Sequence, residues 1–179
     1  MENSRESKRR GLSGADRIMG EDADLEFLSR ASNVVCISNK DAADADRADA
    51  ALTIFVAMPF DPAFDDVFFV GICSAAEVIG GHAVRIDQIM HGQDAVTETQ
   101  KQIRLCSAVV ADISTGESDV LYELGYAHAL DKPSIQICST SYEDMPFMVR
   151  NRETILYRPG ATHLLGRRLG LYLRELLAP

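Results

Sequence analysis

From Ala51 onward, short apolar segments rich in β-branched residues alternate with segments of helical periodicity. Apolar strands separated by helices are typical of a parallel sheet that is covered by helices on both faces. The pattern therefore predicts an α/β fold with a doubly wound, flavodoxin-like, five-stranded parallel sheet in the order 2-1-3-4-5. The predicted strands are Leu52–Ala57, Ala83–Ile86, Ser107–Ala111, Ser134–Cys138 and Thr154–Tyr157.

Helices are predicted between these strands and after the last one, with Gly and Pro residues at several of their ends. One of them is expected to begin at Asp119 as its N-cap and to end near Asp131. In the last helix, leucines 165, 169, 173 and 176 fall on one face. The other predicted helices are Asp65–Ile79, Asp94–Leu105, Glu143–Val149 and Thr162–Leu177.

The composition divides the chain into two regions. Residues 51–179 carry the strand and helix pattern, whereas residues 1–50 are polar and low in aromatic side chains. Within the first region, residues 24–28 and 34–37 have the composition of a short helix and a strand, and residues 41–50 form an acidic stretch. This composition favours a partly disordered extension, and an arm that docks on a partner or a second subunit is the alternative.

The charge of the chain restricts the partners that it can attract. Its 179 residues carry a formal net charge of -9, so general attraction to nucleic acid or to anionic membranes is not expected. No apolar run is long enough to span a membrane, and residues 1–20 lack the apolar core of a secretory signal. These features predict a cytoplasmic protein.

Cysteine and histidine spacing gives no indication of a metal site. The four cysteines, at 36, 73, 106 and 138, lie far apart and form no CxxC pair, and the four histidines supply no ligand spacing. We therefore expect reduced, mostly buried thiols, no bound metal and no cofactor.

The sheet order predicts where a ligand binds. In the order 2-1-3-4-5 the winding reverses between strands 1 and 3, and ligands bind at the carboxyl ends of the strands at that point. The loop Met58–Phe64 follows strand 1, and the loop Asp112–Asp119 follows strand 3. After the second loop, Glu123 is a lone carboxylate among the apolar residues of the next helix. A carboxylate in such surroundings is a candidate reactive group, although a glutamate early in a helix also stabilises the helix dipole.

Four segments carry a resemblance to a known family. They are Phe55–Phe60, Arg85–Asp87, Ile103–Asp112 and Tyr122–Leu130, and the most specific feature is Asp112 followed eleven residues later by Glu-Leu-Gly. With these segments, residues 53–138 resemble the nucleoside 2-deoxyribosyltransferase-like superfamily, which includes nucleotide N-glycosidases and is structurally related to TIR-type NAD-cleaving domains.

The resemblance implies roles for particular residues. The glutamate of the family's Glu-Leu-Gly motif is the catalytic nucleophile, and it corresponds to Glu123. The loop after strand 1 holds the nucleotide or sugar in the family, which implies a binding role for Met58, Pro59 and Phe60. A typical glycosidase relative carries an acid at the position of Thr99, and threonine cannot fill that role.

Other polar residues in the two loops and after strand 2 complete the candidate site. Asp87, Asp112 and Asp119 are candidates for the missing acid, and Asp112 is alternatively a residue that orients the following turn. Ser114, Gly116 and Asp119 are candidate substrate-binding residues, and Asp119 is alternatively a helix cap. Arg85 alternatively forms an ion pair with Asp87.

The function expected from these residues is cleavage, by hydrolysis or transfer, of the N-glycosidic bond of a nucleoside, nucleotide or NAD-like substrate. A carboxylate below the anomeric carbon can stabilise the oxocarbenium-like transition state or form a glycosyl-enzyme. The alternative is a catalytically inactive nucleotide-binding, sensing or assembly module with the same fold. The resemblance also leads us to expect a homodimer or larger homo-oligomer, because small relatives complete their sites across a subunit interface.

Overall fold

The computed structural model describes residues 52–89 and 94–178, all of which belong to one compact unit. Five strands form a single sheet in the order β2-β1-β3-β4-β5, and every neighbouring pair is parallel. The predicted fold class and strand order are therefore confirmed. The strands are β1 (Thr53–Ala57), β2 (His82–Arg85), β3 (Ala108–Asp112), β4 (Ser134–Cys138) and β5 (Thr154–Leu156).

Residues 1–50 lie outside the described residues. The predicted extension, with its short helix at residues 24–28 and strand at 34–37, therefore stays a prediction, as does the domain boundary near residue 51.

Helices connect the strands. They are α1 (Ser74–Val78), α2 (Ile86–Ile89), α3 (Ala95–Leu105), α4 (Ser118–Ala129) and α5 (Thr162–Leu176). A π-helical segment, Val67–Cys73, leads directly into α1, and short 3-10 helices occupy Pro62–Phe64 and Tyr142–Asp144. Within the part of the chain that the structure covers, no helix combines the length and apolarity needed to cross a membrane.

The alternation of side chains along each strand produces two separate hydrophobic cores, one on each face of the sheet. In β1, Ile54 and Val56 pack on the face that is covered by α5, α1 and the π-helical segment. Phe55 and Ala57, from the same strand, pack on the opposite face against α3 and α4. This arrangement explains why the strands are apolar on both sides and read as continuous hydrophobic runs.

Several local predictions were wrong. Asp119 does not cap α4, because the helix begins at Ser118 with Glu117 at the N-cap position, which leaves Asp119 in the first turn. The predicted helix Glu143–Val149 is only the 3-10 helix Tyr142–Asp144 followed by turns. Of the four leucines predicted to share a face of α5, Leu165, Leu169 and Leu173 are buried and Leu176 is 40% exposed; burial was not part of that prediction.

The predicted helix Asp65–Ile79 is helical but contains the π-helical segment, and the short helix α2 after β2 was not predicted. Both features depend on tertiary packing rather than on local periodicity. Asp94 is the N-cap of α3 as predicted, and its side chain accepts a hydrogen bond from the Val96 amide.

Three of the four cysteines lie in described parts of the chain. Cys73, Cys106 and Cys138 are buried, as predicted. Cys106 and Cys138 belong to the core under α3 and α4, and Cys73 belongs to the core on the other face.

Close packing of α5 against the π-helical segment depends on glycine. A Cβ atom added to Gly166 would lie 2.9 Å from the carbonyl oxygen of Gly71 and 3.3 Å from that of Val70. Both neighbours are backbone atoms, so they cannot move aside as the tip of a side chain would. By contrast, a Cβ added to Gly125 in α4 would meet no atom within 4 Å.

We therefore expect opposite effects from the same substitution at these two helical glycines. Gly166→Ala should lower the free energy of unfolding by about 1–3 kcal/mol, because the added methyl forces α5 away from the π-helical segment. Gly125→Ala should raise it by about 0.5–1 kcal/mol, because alanine loses less conformational entropy in a helix. Urea unfolding of both variants measures the difference, and equal effects would contradict the proposed close contact.

Candidate active site

The reversal of winding places two loops side by side. Strand β1 pairs with β2 on one side and with β3 on the other, so the loops after β1 and β3 leave the same edge of the sheet next to each other. The loop after β3 leads into α4, which carries Glu123 on its second turn. The predicted site residues of both loops therefore converge at one edge of the sheet.

A buried hydrogen-bond network forms the base of this edge. Asp112, at the end of β3, has no solvent exposure. Its Oδ1 atom accepts hydrogen bonds from the Ser114 amide, at 3.0 Å, and from the Ser114 hydroxyl. Its Oδ2 atom accepts a 2.7 Å hydrogen bond from the Tyr157 hydroxyl. Burial raises the pKa of Asp112, and these donors act in the opposite direction.

The network links the ends of three adjacent strands. Tyr157 follows β5, and the Ser139 amide, which follows β4, donates a 2.8 Å hydrogen bond to the Ser114 hydroxyl. Both carboxylate oxygens of Asp112 thus accept hydrogen bonds from other groups of the protein. This geometry favours the role of Asp112 in orienting the turn over direct contact with a substrate. The same hydrogen bonds engage the Ser114 hydroxyl, which we predicted to bind substrate.

The contributions of Tyr157 and Ser139 were not predicted from the sequence. Tyr157 lies 45 residues after Asp112, and no local spacing connects the two. One signal was present, since Tyr157 puts a hydroxyl at the end of an apolar strand on the same sheet edge. Burial and the neighbouring Asp112 raise the pKa of Tyr157 far above its ordinary value, so its hydroxyl keeps its proton and acts as a donor.

Gly116 shapes the turn between β3 and α4. Its φ of +64° lies in the left-handed region, which favours glycine. A Cβ at this position would also lie 3.3 Å from Cγ of Pro146, in the segment after β4. The predicted role of Gly116 therefore has a backbone explanation: glycine allows the turn to close against the neighbouring loop.

Glu123 lies partly buried on α4. Burial is the main cause that raises the pKa of Glu123 from its ordinary value of 4.5 to about 7, and the negative charge of Asp119 is the second cause. Asp119 precedes Glu123 by four residues, so the two carboxylates are neighbours along one side of the helix. Asp119 itself is exposed to solvent, which leaves it accessible to a ligand.

Asp87 is held by Arg85. The guanidinium of Arg85 donates from Nε and Nη2 to the two carboxylate oxygens of Asp87, each at 2.8 Å. Its Nη1 atom reaches Asp65 at 3.4 Å, and the guanidinium carbon lies 4.7 Å above the Phe68 ring. Both carboxylate oxygens of Asp87 are therefore engaged by a single guanidinium. The alternative interpretation of Asp87, as the partner of Arg85, therefore matches this geometry.

The three predicted residues of the loop after β1 are placed differently. Met58 is 2% exposed and packs in the core, and Pro59 is also buried. Phe60 is 57% exposed. Of these side chains, Phe60 is therefore available to contact a ligand, whereas Met58 and Pro59 fix the position of the loop.

Side-chain hydrogen bonds join α3 to α4. Gln100 of α3 donates a 2.7 Å hydrogen bond to the Tyr122 hydroxyl of α4, and Arg104 donates to the Tyr126 hydroxyl one turn later. The rings of Tyr122 and Tyr126 are stacked with their centroids 6.5 Å apart. These contacts fix the two helices side by side, and Thr99 and Glu123 are each next in sequence to one of the bonded residues.

Neither Thr99 nor its neighbour Glu98 is suited to proton donation. Thr99 is buried and lacks an acidic group. Glu98 accepts a 2.7 Å hydrogen bond from Gln102 and interacts with Lys101, and these contacts lower the pKa of Glu98 below its ordinary value. Glu98 is therefore ionised at neutral pH.

The described residues contain no cluster of three or more His, Cys, Asp or Glu side chains with the geometry to hold a metal ion.

Comparison with known proteins finds similarity among solved structures. No family model matches the chain, and no curated protein matches it. Among solved structures it is similar to a 2-desoxiribosyltransferase from Leishmania mexicana, with 21% sequence identity and a TM-score of 0.43. The similarity covers 50% of this chain and 66% of that one. It assigns neither an activity nor a residue.

The raised pKa of Glu123 has a consequence for stability. A carboxyl that titrates at 4.5 in the unfolded chain and at about 7 in the folded protein favours folding only while it is protonated. That contribution is complete below pH 4.5 and is lost as the pH rises through 7. At pH 8 the folded protein therefore holds a carboxylate in an unfavourable environment.

We expect Glu123→Gln to raise the free energy of unfolding at pH 8 by about 1–2 kcal/mol, after allowance for the solvent that screens this partly exposed group. Most of the gain should disappear at pH 5. Glu117→Gln, which removes an exposed carboxylate just before the same helix, is the control and should change stability by less than about 0.5 kcal/mol at either pH. Urea unfolding at the two pH values measures both variants, and an equal gain at pH 5 and pH 8 would show that the carboxylate is not destabilised.

Proposed function

We propose that this protein cleaves the N-glycosidic bond of a nucleoside-type substrate, with Glu123 as the nucleophile. The observation that carries the proposal is the position of Glu123. It is a partly buried carboxyl with a raised pKa, at the edge of the sheet where the winding reverses. Such perturbed carboxyls are concentrated at functional sites.

The chemistry proceeds in two steps. In the first, the bond between the anomeric carbon and the base nitrogen breaks, its electron pair leaves with the base, and a Glu123 oxygen bonds to the anomeric carbon. In the second, water or an acceptor base attacks the anomeric carbon and loses a proton to solvent. The bond between that carbon and the Glu123 oxygen breaks, and Glu123 is released as a carboxylate. Water gives hydrolysis, and an acceptor base gives transfer. Glu123 must be ionised at the start of the first step.

The surrounding residues support this role in different ways. The network of Asp112, Ser114 and Tyr157 fixes the start of the loop that leads to α4. Phe60 offers an exposed ring for contact with a base or sugar, since base–aromatic stacking is favourable for every base. Asp119 lies one helical turn before Glu123 and contributes to its raised pKa.

The candidate donors of a proton to the leaving base differ in availability. Asp87 is paired with Arg85, Asp112 is buried with its oxygens occupied, and Glu98 is ionised. Asp119 is exposed and lies one helical turn before Glu123. We propose that the base leaves neutral, as the base of a cationic nucleoside does, or takes its proton from solvent.

A non-catalytic module that binds a nucleotide is the second candidate. Thr99 favours it, because this buried residue occupies the position where a glycosidase relative is expected to carry its acid. The two candidates differ in one measurable respect. A binding module releases no base and does not need the charge of Glu123.

Glu123→Gln should abolish base release, because the amide cannot attack the anomeric carbon. The assay is chromatography of nucleosides, nucleotides and NAD after incubation with wild-type protein or with the variant. We expect free base from at least one substrate with wild-type protein, and at least a 10³-fold lower rate with the variant.

Glu117→Gln is the matched control for that experiment. It removes an exposed carboxylate close to the same helix and should keep wild-type release. Circular dichroism and thermal unfolding establish that both variants are folded. Failure of wild-type protein to turn over any member of the panel, together with substrate binding that Glu123→Gln leaves unchanged, would favour the binding module instead.

The pH dependence tests the ionisation of Glu123 separately. The nucleophile must be ionised, so kcat/KM should rise with pH and level off above about 7. Asp119→Asn removes a negative charge that raises the pKa of Glu123, and it should therefore shift the rise to lower pH. A pH profile that keeps its position in Asp119→Asn would contradict this coupling, whatever the absolute rate of the variant.

A further inference from the structure

Arg150 has a buried donor without an acceptor. It belongs to residues 145–152, which lie between the 3-10 helix Tyr142–Asp144 and β5. Its Nη2 atom donates a 3.0 Å hydrogen bond to the Met145 carbonyl oxygen, whereas its Nε atom is buried and has no hydrogen-bond partner among the described residues. Within the same parts of the chain, no other buried side-chain nitrogen or oxygen atom lacks a partner. A buried donor is unfavourable unless an acceptor replaces its lost water.

The backbone around Arg150 is fixed against the fold. Met145 and Val149 are 3% and 8% exposed, and they belong to the core that also contains Val120 and Leu124 of α4. Because Arg150 directly follows a buried residue, its guanidinium extends from a backbone position that the core defines. The unpaired Nε atom is therefore not explained by a loose surface loop.

The charges beside this guanidinium are positive. Arg152 is exposed, and neither Arg150 nor Arg152 forms an ion pair with a carboxylate of the described residues. On α4, burial and then the charge of Arg152 lower the pKa of His128 below its ordinary value. In a chain with a net charge of -9, two unpaired arginines so close together form a local site of positive potential.

The carboxylates that flank residues 145–152 have other contacts. Asp144 accepts a 2.7 Å hydrogen bond from the Ser141 hydroxyl, and Glu153 accepts one of 3.1 Å from the Tyr172 hydroxyl. Glu143 is exposed to solvent. None of the three supplies the acceptor that Arg150 lacks.

One exposed aromatic ring lies against the guanidinium. The Cζ atom of Arg150 is 5.7 Å from the centroid of the Phe147 ring, and Phe147 is 69% exposed. A side chain with so much exposed surface is not held by the core, and exposed side chains change rotamer rapidly. Rotation of Phe147 therefore gives a ligand access to the guanidinium without any change in the fold.

We propose that Arg150 and Arg152 bind an oxyanion group of a small molecule, a phosphate or a carboxylate, in the place of the Phe147 ring. A guanidinium presents its donors as a fork that matches both groups, and the ligand supplies the acceptor that Nε lacks. Arg152 adds a second positive charge. This binding site does not depend on the reaction proposed for Glu123.

Titration of the full chain with inorganic phosphate and with succinate tests the proposal and distinguishes the two sources of the oxyanion. At constant ionic strength, set with sodium chloride, calorimetry should show saturable binding of at least one probe. The same probe should raise the midpoint of thermal unfolding, because a ligand that binds the folded state stabilises it. Absence of saturable binding for both probes overturns the proposal.

Charge variants locate the site. Arg150→Gln should weaken binding of the probe about 10-fold, because it removes the fork. Arg152→Gln should weaken it about threefold, because an exposed charge contributes less. Lys101→Gln, which removes an exposed positive charge from α3, is the control and should leave binding unchanged. An equal loss in all three variants would mean that the probe responds to net charge alone, and would overturn the proposal.

Phe147→Ala provides a test that does not need Arg150→Gln to fold. The variant removes an exposed ring, so the core should be unaffected. Binding should become about threefold tighter, because the ring no longer competes with the ligand for the guanidinium. Unchanged or weaker binding in Phe147→Ala would overturn the proposed position of the oxyanion.

Discussion

The architecture of the candidate site depends on the buried carboxylate of Asp112. A buried carboxylate is tolerated only when donors replace its lost hydration, and Asp112 has the Ser114 amide and hydroxyl and the Tyr157 hydroxyl for this purpose. Because these donors come from the loop after β3 and from the end of β5, the carboxylate connects separate strands. The Ser139 amide extends the connection to β4. Removing one partner would leave a buried polar group unsatisfied, at a cost of about 1–3 kcal/mol.

Glu123 differs from Asp112 in what surrounds its carboxyl group. Burial raises the pKa of both residues, but hydrogen-bond donors oppose that rise at Asp112, whereas the charge of Asp119 adds to it at Glu123. Hydrogen bonds thus stabilise Asp112 in its position, whereas the ionised form of Glu123 has a high free energy. A destabilised carboxylate is a better nucleophile than a fully hydrogen-bonded one, and a stability cost at an active site is a common consequence of function.

The sequence was sufficient to predict the sheet, but it was not sufficient to predict the hydrogen-bond network around Asp112. Apolar runs such as Ser134–Cys138 and the Gly and Pro residues between them are local signals, and they predicted the strands and their order. For the same reason the sequence predicted a candidate site at the edge between β1 and β3. The hydrogen bond between Tyr157 and Asp112 joins residues that are 45 positions apart, and no periodic pattern in the sequence indicates it. The ion pair between Asp87 and Arg85 was only one of two interpretations that the sequence allowed. The burial of Met58 also depends on how α1 and α5 pack against the sheet. The local sequence pattern does not determine that packing.

Rigidity is unevenly distributed around the site. The loops after β3, β4 and β5 are joined by the Asp112 network, so a substitution in any of them disturbs the other two. The loop after β1 takes no part in that network, and Phe60 projects from it with more than half of its surface exposed. Substitutions at Phe60 therefore carry little structural penalty. During evolution, substitution is most accessible at this position, because a new side chain there alters the exposed surface of the loop without weakening the fold.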